Sequence, residues 1–349
     1  MLGLTLNVIN VDDLVLKLIN IYSENKMKKV SLILPVHNSQ QYLEECLQSI
    51  NDQIYKNFAL IIVDDGSKDN SIKIIESFIE STKISVKFIK NTVSKGVSVS
   101  RNLGLSVVDT PFVTFMDSDD IISPFHILNL VRGINSNDVV LSITSVTRNI
   151  NKLDKVRSNR FIYDCDKAMI DILGWRDIQG FVFNKLFRMS IIKENGINFK
   201  DNIHISEDLL FVVSYFSFCD KFRASFNKNK TYFYRINKNS VTHKKISTDL
   251  MKKQLEEQLV VYSEIELIIK KRKISNAVIT KFYEDYLILI NNIKFKERKN
   301  GLMINGKNNY KQYTSLKDKY LLKTLLDISI PVKTRFIFLI RLILNKRVI

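Results

Sequence analysis

Between Lys28 and about Thr144 the chain alternates short apolar runs with stretches of helical spacing. Val30–Leu34 is a β-branched and leucine run halted by Pro35, the pattern of a buried parallel strand. Gln40–Asn51 sets Tyr42, Leu43, Cys46, Leu47 and Ile50 at helical spacing. Phe58–Val63 predicts a second strand ending in Asp64-Asp65-Gly66. Asn70–Ile79 predicts a helix with Ile72, Ile74, Ile75, Phe78 and Ile79 on its core face. Val86–Ile89 gives a third strand, and after a glycine-containing loop a helix runs from about Val97 to Val108. Phe112–Met116 is a fourth strand leading straight into Asp117-Ser118-Asp119-Asp120, and Asp138–Ile143 reads as a fifth.

Regular alternation of strand and helix predicts a mostly parallel, doubly wound α/β sheet with helices on both faces. Such sheets bind ligands outside the carboxyl ends of their strands. The polar clusters fall just there: His37-Asn38, Asp64-Asp65, and Asp117 to Asp120. From about Ser145 to Lys245 the pattern is mixed, with a helix near Asp166–Leu173, a strand at Phe183–Phe187, a helix opening at Ser206 and an aromatic strand Thr231–Arg235. After a soft boundary near Ile246 the chain reads as mostly helical and lysine-rich.

Composition adds little until charge is located. A 45% hydrophobic content with only 10 Gly and 4 Pro fits a globular chain without repeats or long linkers. Cys46, Cys165 and Cys219 show no metal-ligand spacing and suit a reducing, cytoplasmic compartment. The net charge is +17, and residues 246–349 hold 21 Lys/Arg against 10 Asp/Glu. A basic excess placed there suggests an anionic partner, such as the inner face of the cell membrane, against the plainer reading of a solvated helical face. Pro331 to Arg347 predicts an apolar helix whose basic residues do not gather on one face. No secretory signal is visible, and no stretch reaches the ~20 apolar residues that span a bilayer.

Asp117 and Asp119, two positions apart at a strand end, offer hard oxygen ligands to Mg²⁺ or Mn²⁺, with diphosphate and water completing the shell. Asp65 can accept from a base imide or a ribose hydroxyl; the plainer reading is a helix cap, which Asp69 serves equally well. Arg101 and Asn102 lie near a helix start facing the same crevice, where an arginine suits a diphosphate or a base edge, against the plainer reading of an ordinary surface arginine. Ser206-Glu207-Asp208 is a capped helix start by pattern alone, and a general base at Asp208 by chemistry. Tyr234-Arg235 with Ser240 and His243 forms a polar, cationic segment able to close over a diphosphate.

Taken in order, Val30 to Asn38, Ile62 to Ser67, Gly96 to Asn102 and Phe115 to Asp120 resemble family 2 glycosyltransferases of the GT-A fold. Phe183 to Arg188, Ser206-Glu207-Asp208 and Tyr234-Arg235 look like the acceptor half of that family, so the likeness covers about 28–245. It implies an inverting transfer from a UDP-sugar with Mn²⁺ or Mg²⁺. The acceptor would be a glycan, lipid-linked or protein-linked hydroxyl in bacterial surface polysaccharide or glycoconjugate synthesis. Carried over by position, Pro35, His37, Asp65, Arg101, Asp117 and Arg235 would hold the nucleotide sugar. Asp117 and Asp119 would hold the metal, and Asp208 would be the base with Glu207 beside it. The implied organisation is an extension over 1–27, a catalytic domain over 28–245 divided near 144, and a basic helical region over 246–349. Met27-Lys28-Lys29-Val30 resembles the usual start of such chains. An inactive GT-A-like partner of another transferase and a nucleotidyltransferase are the competing readings. The acid clusters and the lack of a binding module argue against nucleic acid.

Overall fold

A computed structural model describes residues 28–289 apart from 135, 154–159, 175–177, 219–222, 237–246, 273, 284 and 287–288. The expected extension over 1–27, Ser240, His243, Cys219 and the helix at Pro331 to Arg347 lie outside the described residues.

Strands β1 (Val30–Val36), β2 (Phe58–Asp64), β3 (Ser85–Lys90) and β4 (Phe112–Phe115) form a parallel block in the order β3-β2-β1-β4. Helices α1 (Leu43–Asn51), α2 (Ser71–Ser81) and α3 (Val97–Ser106) supply its crossovers. Past β4 the sheet becomes mixed. After β5 (Ile121–Ile122) and α4 (His126–Gly133) come β6 (Val139–Thr147), β7 (Arg160–Asp164) and β8 (Lys185–Arg188). Strand β8 is antiparallel to both β4 and β6, while β9 (Arg223–Phe233) runs parallel to β6 and antiparallel to β5 and β7.

Alternation along the strands divides the core. Leu32 and Leu34 of β1, with Leu60 and Ile62 of β2, pack with Leu43, Cys46, Leu47 and Ile50 of α1 and Ile127 and Leu130 of α4. Ile33, Ile61 and Val63 face the other way, in one cluster with Leu105 of α3. That cluster also takes in α5 (Cys165–Leu173), α6 (Met189–Glu194), α7 (Glu207–Phe216) and α8 (Thr248–Lys271). A further helical stretch over 276–283 adds Val278 and Phe282 to the same core.

The expected elements differ mainly at their ends. Strand β1 does not halt at Pro35 but continues to Val36. Strand β4 pairs with β1 only through Ile33, so Pro35, which has no N–H to donate, lies beyond the doubly bonded part. Helix α1 starts at Leu43 rather than Gln40, because Ser39 O first accepts from Tyr42 N at 3.0 Å in a turn. The strand expected at Phe183–Phe187 is β8, shifted to Lys185–Arg188, and the aromatic strand expected at Thr231–Arg235 is the end of the much longer β9. The polar run Asn227-Lys228-Asn229-Lys230 lies mid-way along β9 at a register shift: Asn227 pairs with both β6 and β7, and the β6 ladder resumes at Lys230.

Candidate functional site

The first loop of the site follows β2. Gly66 turns there at φ +67°, and a Cβ on it would meet the backbone of Val93 and Ser94 at 2.8 Å. The 91–96 loop therefore passes directly over this turn, and Asp65 binds it. Its carboxylate accepts from Asn91 Nδ2 at 2.9 Å, Ser94 Oγ at 2.7 Å, Lys95 N at 3.0 Å and Gly96 N at 2.8 Å. Burial alone would raise the pKa of Asp65, but these donors outweigh it and lower the value. Asp69 lies one residue before the cap position at Asn70 and accepts from Ser71 N at 3.0 Å.

The β1 loop is tied to the same place. Lys68 N donates to Asn38 Oδ1 at 2.8 Å, which orients the amide so that Asn38 Nδ2 donates to His37 Nε2 at 2.9 Å. His37 Nδ1 then carries the proton and donates to Asp65 O at 2.8 Å. Pro35 is buried within β1, opposite Val63.

The acid loop after β4 is held from several directions. Ser39 and Ser118 share a hydroxyl hydrogen bond of 2.6 Å, and Tyr232 OH donates to Asp120 Oδ2 at 2.6 Å while accepting from Asp117 N at 3.2 Å. Arg235 donates from its backbone N to Asp120 Oδ1 at 2.8 Å, from Nε to Asp119 O at 2.7 Å and from a terminal nitrogen to Glu45 Oε2 at 2.7 Å. Asp120 is fully buried; burial, then the charges of Asp117 and Asp119, push its pKa well up. It thus serves the loop, leaving the less buried Asp117 and Asp119 toward the crevice. Sequence reasoning missed Asp120 and Tyr232, although the run of acids and the aromatic strand both contained a signal.

Arg101, 3% exposed, joins this loop to the acceptor half. One terminal nitrogen donates to Asp117 Oδ1 at 3.0 Å; the other donates to Asp208 Oδ1 at 2.6 Å and Glu207 Oε1 at 3.0 Å. Burial opposes its charge, but Asp208, Asp117 and Glu207 outweigh burial and raise its pKa. The two acids open α7 behind Ser206, whose left-handed φ of 63° turns the chain into the helix. Burial, reinforced by the neighbouring Asp208 charge, raises Glu207 to about 7. Burial also raises Asp208, against the pull of Arg101. Asp208 Oδ2 accepts from Val182 N at 3.3 Å.

The structure thus gathers His37, Asp65, Arg101, Asp117, Asp119, Glu207, Asp208 and Arg235 along one edge of the sheet. Among the described residues, no group of three or more His, Cys, Asp or Glu stands ready to hold a metal by itself. Two aspartates at a strand end still fit Mn²⁺ or Mg²⁺ chemically, since such ions take the rest of their oxygen shell from phosphates and water. Cys46 Sγ donates to Asp117 O at 3.8 Å; burial, then the nearby aspartates, raise its pKa and keep it a neutral thiol.

A parallel block with acids gathered at its carboxyl edge and a mixed extension beyond it has the GT-A arrangement. The glycosyl transferase family 2 model matches residues 31–250, and the chain belongs to that family. It is 31% identical over 205 residues to a teichoic acid poly(glycerol phosphate) polymerase of Staphylococcus epidermidis, covering 58% of this chain and 28% of that one. It is 27% identical over 210 residues to the poly(ribitol-phosphate) β-N-acetylglucosaminyltransferase TarS of Staphylococcus aureus, covering 60% and 35%. A crystal structure of TarS residues 1–349 with UDP-GlcNAc superposes with a TM-score of 0.60 at 19% identity, covering 84% of this chain and 80% of that one. A Pyrobaculum calidifontis mannosyltransferase with GDP-mannose and Mn²⁺ superposes with a TM-score of 0.54 at 13% identity, over 89% and 84%. The chain therefore spans about a third or less of the two bacterial relatives matched by sequence. Among the described residues, no helix is long and apolar enough to cross a membrane.

Proposed function

We propose that the chain transfers a sugar, with inversion, from a nucleotide-diphosphate donor of the UDP-sugar type to a hydroxyl of a bacterial cell-wall glycopolymer or related glycoconjugate. The observation that carries this reading is the Arg101 bridge, which ties Asp117 to Asp208 through one guanidinium. With Asp117 read as part of a leaving-group site and Asp208 as the base, the two would lie at opposite ends of one short link. In a single displacement, Asp208 takes the acceptor hydroxyl proton as the acceptor oxygen bonds to the sugar C1, and the bond from C1 to the phosphate oxygen breaks with its electron pair leaving on the diphosphate. The raised pKa of Asp208 suits a base that must accept and later release a proton.

Asp65 and His37 would meet the nucleoside and Arg235 would face the diphosphate, while Arg101, buried and engaged by Asp117, Glu207 and Asp208, would act through those acids rather than on the diphosphate expected of it. Mn²⁺ or Mg²⁺ held by Asp117 and Asp119 would supply neutralisation of the departing charge. The names of the relatives support a phosphate-rich polymer as acceptor, and the basic excess after residue 246 agrees in sign with a polymer or inner-leaflet surface of that charge. The test is UDP release across a panel of UDP-sugars with Mn²⁺. Asp208→Asn is expected to lower kcat by about 10²–10⁴ with UDP affinity unchanged. Asp119→Asn is expected to remove the metal dependence. An Asp208→Asn enzyme with undiminished kcat defeats the assignment.

A further inference from the structure

Lys185 has no part in the transfer just described, yet it is a lysine with 0% exposure in the middle of the sheet. All three ammonium hydrogens have an acceptor: Gln179 O at 2.5 Å, Phe181 O at 2.6 Å and Asn184 Oδ1 at 2.9 Å. Its own carbonyl accepts from Thr114 Oγ1 at 2.8 Å, so β4 fixes its backbone, and Asn184 Nδ2 is fixed by Thr144 O at 2.7 Å. The side chain therefore works from a rigid base and holds the neighbouring 179–181 segment.

That segment lies against the helix that carries the acids. A Cβ on Gly180 would meet Leu209 Cδ1 at 2.7 Å and Leu209 Cβ at 3.2 Å, which leaves no space between the segment and the first turn of α7. Immediately after it, Val182 N donates to Asp208 Oδ2 at 3.3 Å. Arg101, Asp117 and Glu207 act on Asp208 from the other sides, and the Lys185 charge adds to the pull of Arg101.

We propose that Lys185 is a positioning residue for the base: its ammonium pins 179–181 so that Val182 N–H stays on Asp208 and the Gly180 backbone stays against the start of α7. The proposal rests on the reading of Asp208 as the base. A lysine suits the place because two backbone carbonyls and an amide oxygen converge where the side chain has no exposure, and a three-donor head satisfies all three. The arrangement is unfavourable to the ammonium itself, since burial lowers its pKa to about 7, with Asp208 acting in the opposite sense. Such a group persists where geometry, rather than stability, is what it provides.

The experiment compares Lys185→Met, Gly180→Ala and Asp208→Asn in the full chain. Hydrogen exchange of the 178–184 and 206–212 peptides needs no substrate. In Lys185→Met both peptides are expected to exchange at least tenfold faster, while 30–36 is unchanged. With the UDP-sugar that the wild type turns over, kcat should fall ten- to a hundredfold with donor KM within twofold. Gly180→Ala, which displaces the same segment without touching the lysine, should lower kcat severalfold and decides the matter if Lys185→Met does not fold. Unchanged exchange in Lys185→Met, or full kcat in either variant while Asp208→Asn is inactive, overturns the positioning role alone. Full kcat in Asp208→Asn instead overturns the base.

Discussion

Asp65, buried, and Asp208, part-buried, are carboxylates at the same edge of the sheet, and their surroundings treat them in opposite ways. Asp65 meets four neutral donors from one loop, a side-chain amide, a hydroxyl and two backbone N–H groups, and its proton is lost readily. Asp208 meets one arginine, one long backbone bond and two further acids, and its proton is held more tightly. The difference lies in what has been brought near. A loop folded around its own acid gives a fixed anion, a lasting acceptor for hydrogen bonds. Acids drawn from two distant segments around one guanidinium give a carboxylate that holds its proton more tightly than usual. On the proposed reading, the nucleotide half of the site would be built for shape and the acceptor half for proton transfer.

Breaking the shared arginine should have the largest effect. Arg101→Met leaves the part-buried Glu207 and Asp208, and the more exposed Asp117, with no cation between them, and unfolding by denaturant should show a loss of about 3 kcal/mol. Near-wild-type stability would mean that the three acids are not held by Arg101. Asp65→Asn should cost less, about 1–3 kcal/mol, because the amide retains one acceptor oxygen for the four donors. Its distinguishing sign is local: amide exchange should quicken over 91–96 and remain slow at the start of α7. Equal changes in both places would erase the contrast between the two halves.

The contrast also marks what was legible in the sequence. Asp65, Asp117 and Asp119 follow uninterrupted apolar runs, so their place at strand ends can be read from periodicity, and their meeting follows from the rule for parallel sheets. Asp208 is visible only as a helix-start acid, because the partner that alters its chemistry, Arg101, is 107 positions away. Lys185 opens strand β8 beside Leu186 and Phe187, yet nothing in the spacing says that three oxygens close around it. The short strands β5 and β7 escaped for a related reason: Ile121–Ile122 and Arg160–Asp164 owe their state to β9, not to their own residues.

Protonation sharpens the comparison with the smallest effect. Glu207 has an ordinary pKa of 4.5 and a folded value of about 7, raised first by burial and then by Asp208. Between those values the folded chain keeps a proton that the unfolded chain has released. The stability this contributes is complete below 4.5 and is lost as pH rises toward 7, at no more than ~1.4 kcal/mol per pH unit. Asp65 acts with the opposite sign: its lowered pKa contributes stability above its ordinary value of 3.8, lost as pH falls through the folded value. Denaturant melts at pH 5 and pH 8 should therefore show Glu207→Gln less sensitive than the wild type to the change, with Asp65→Asn as sensitive as the wild type in that window. Below about pH 4 the order should reverse, with Asp65→Asn the less sensitive of the two. A Glu207→Gln protein that keeps the full wild-type slope between pH 5 and 8 would show that this carboxyl does not titrate there, and that the acceptor half is as fixed in charge as the loop around Asp65.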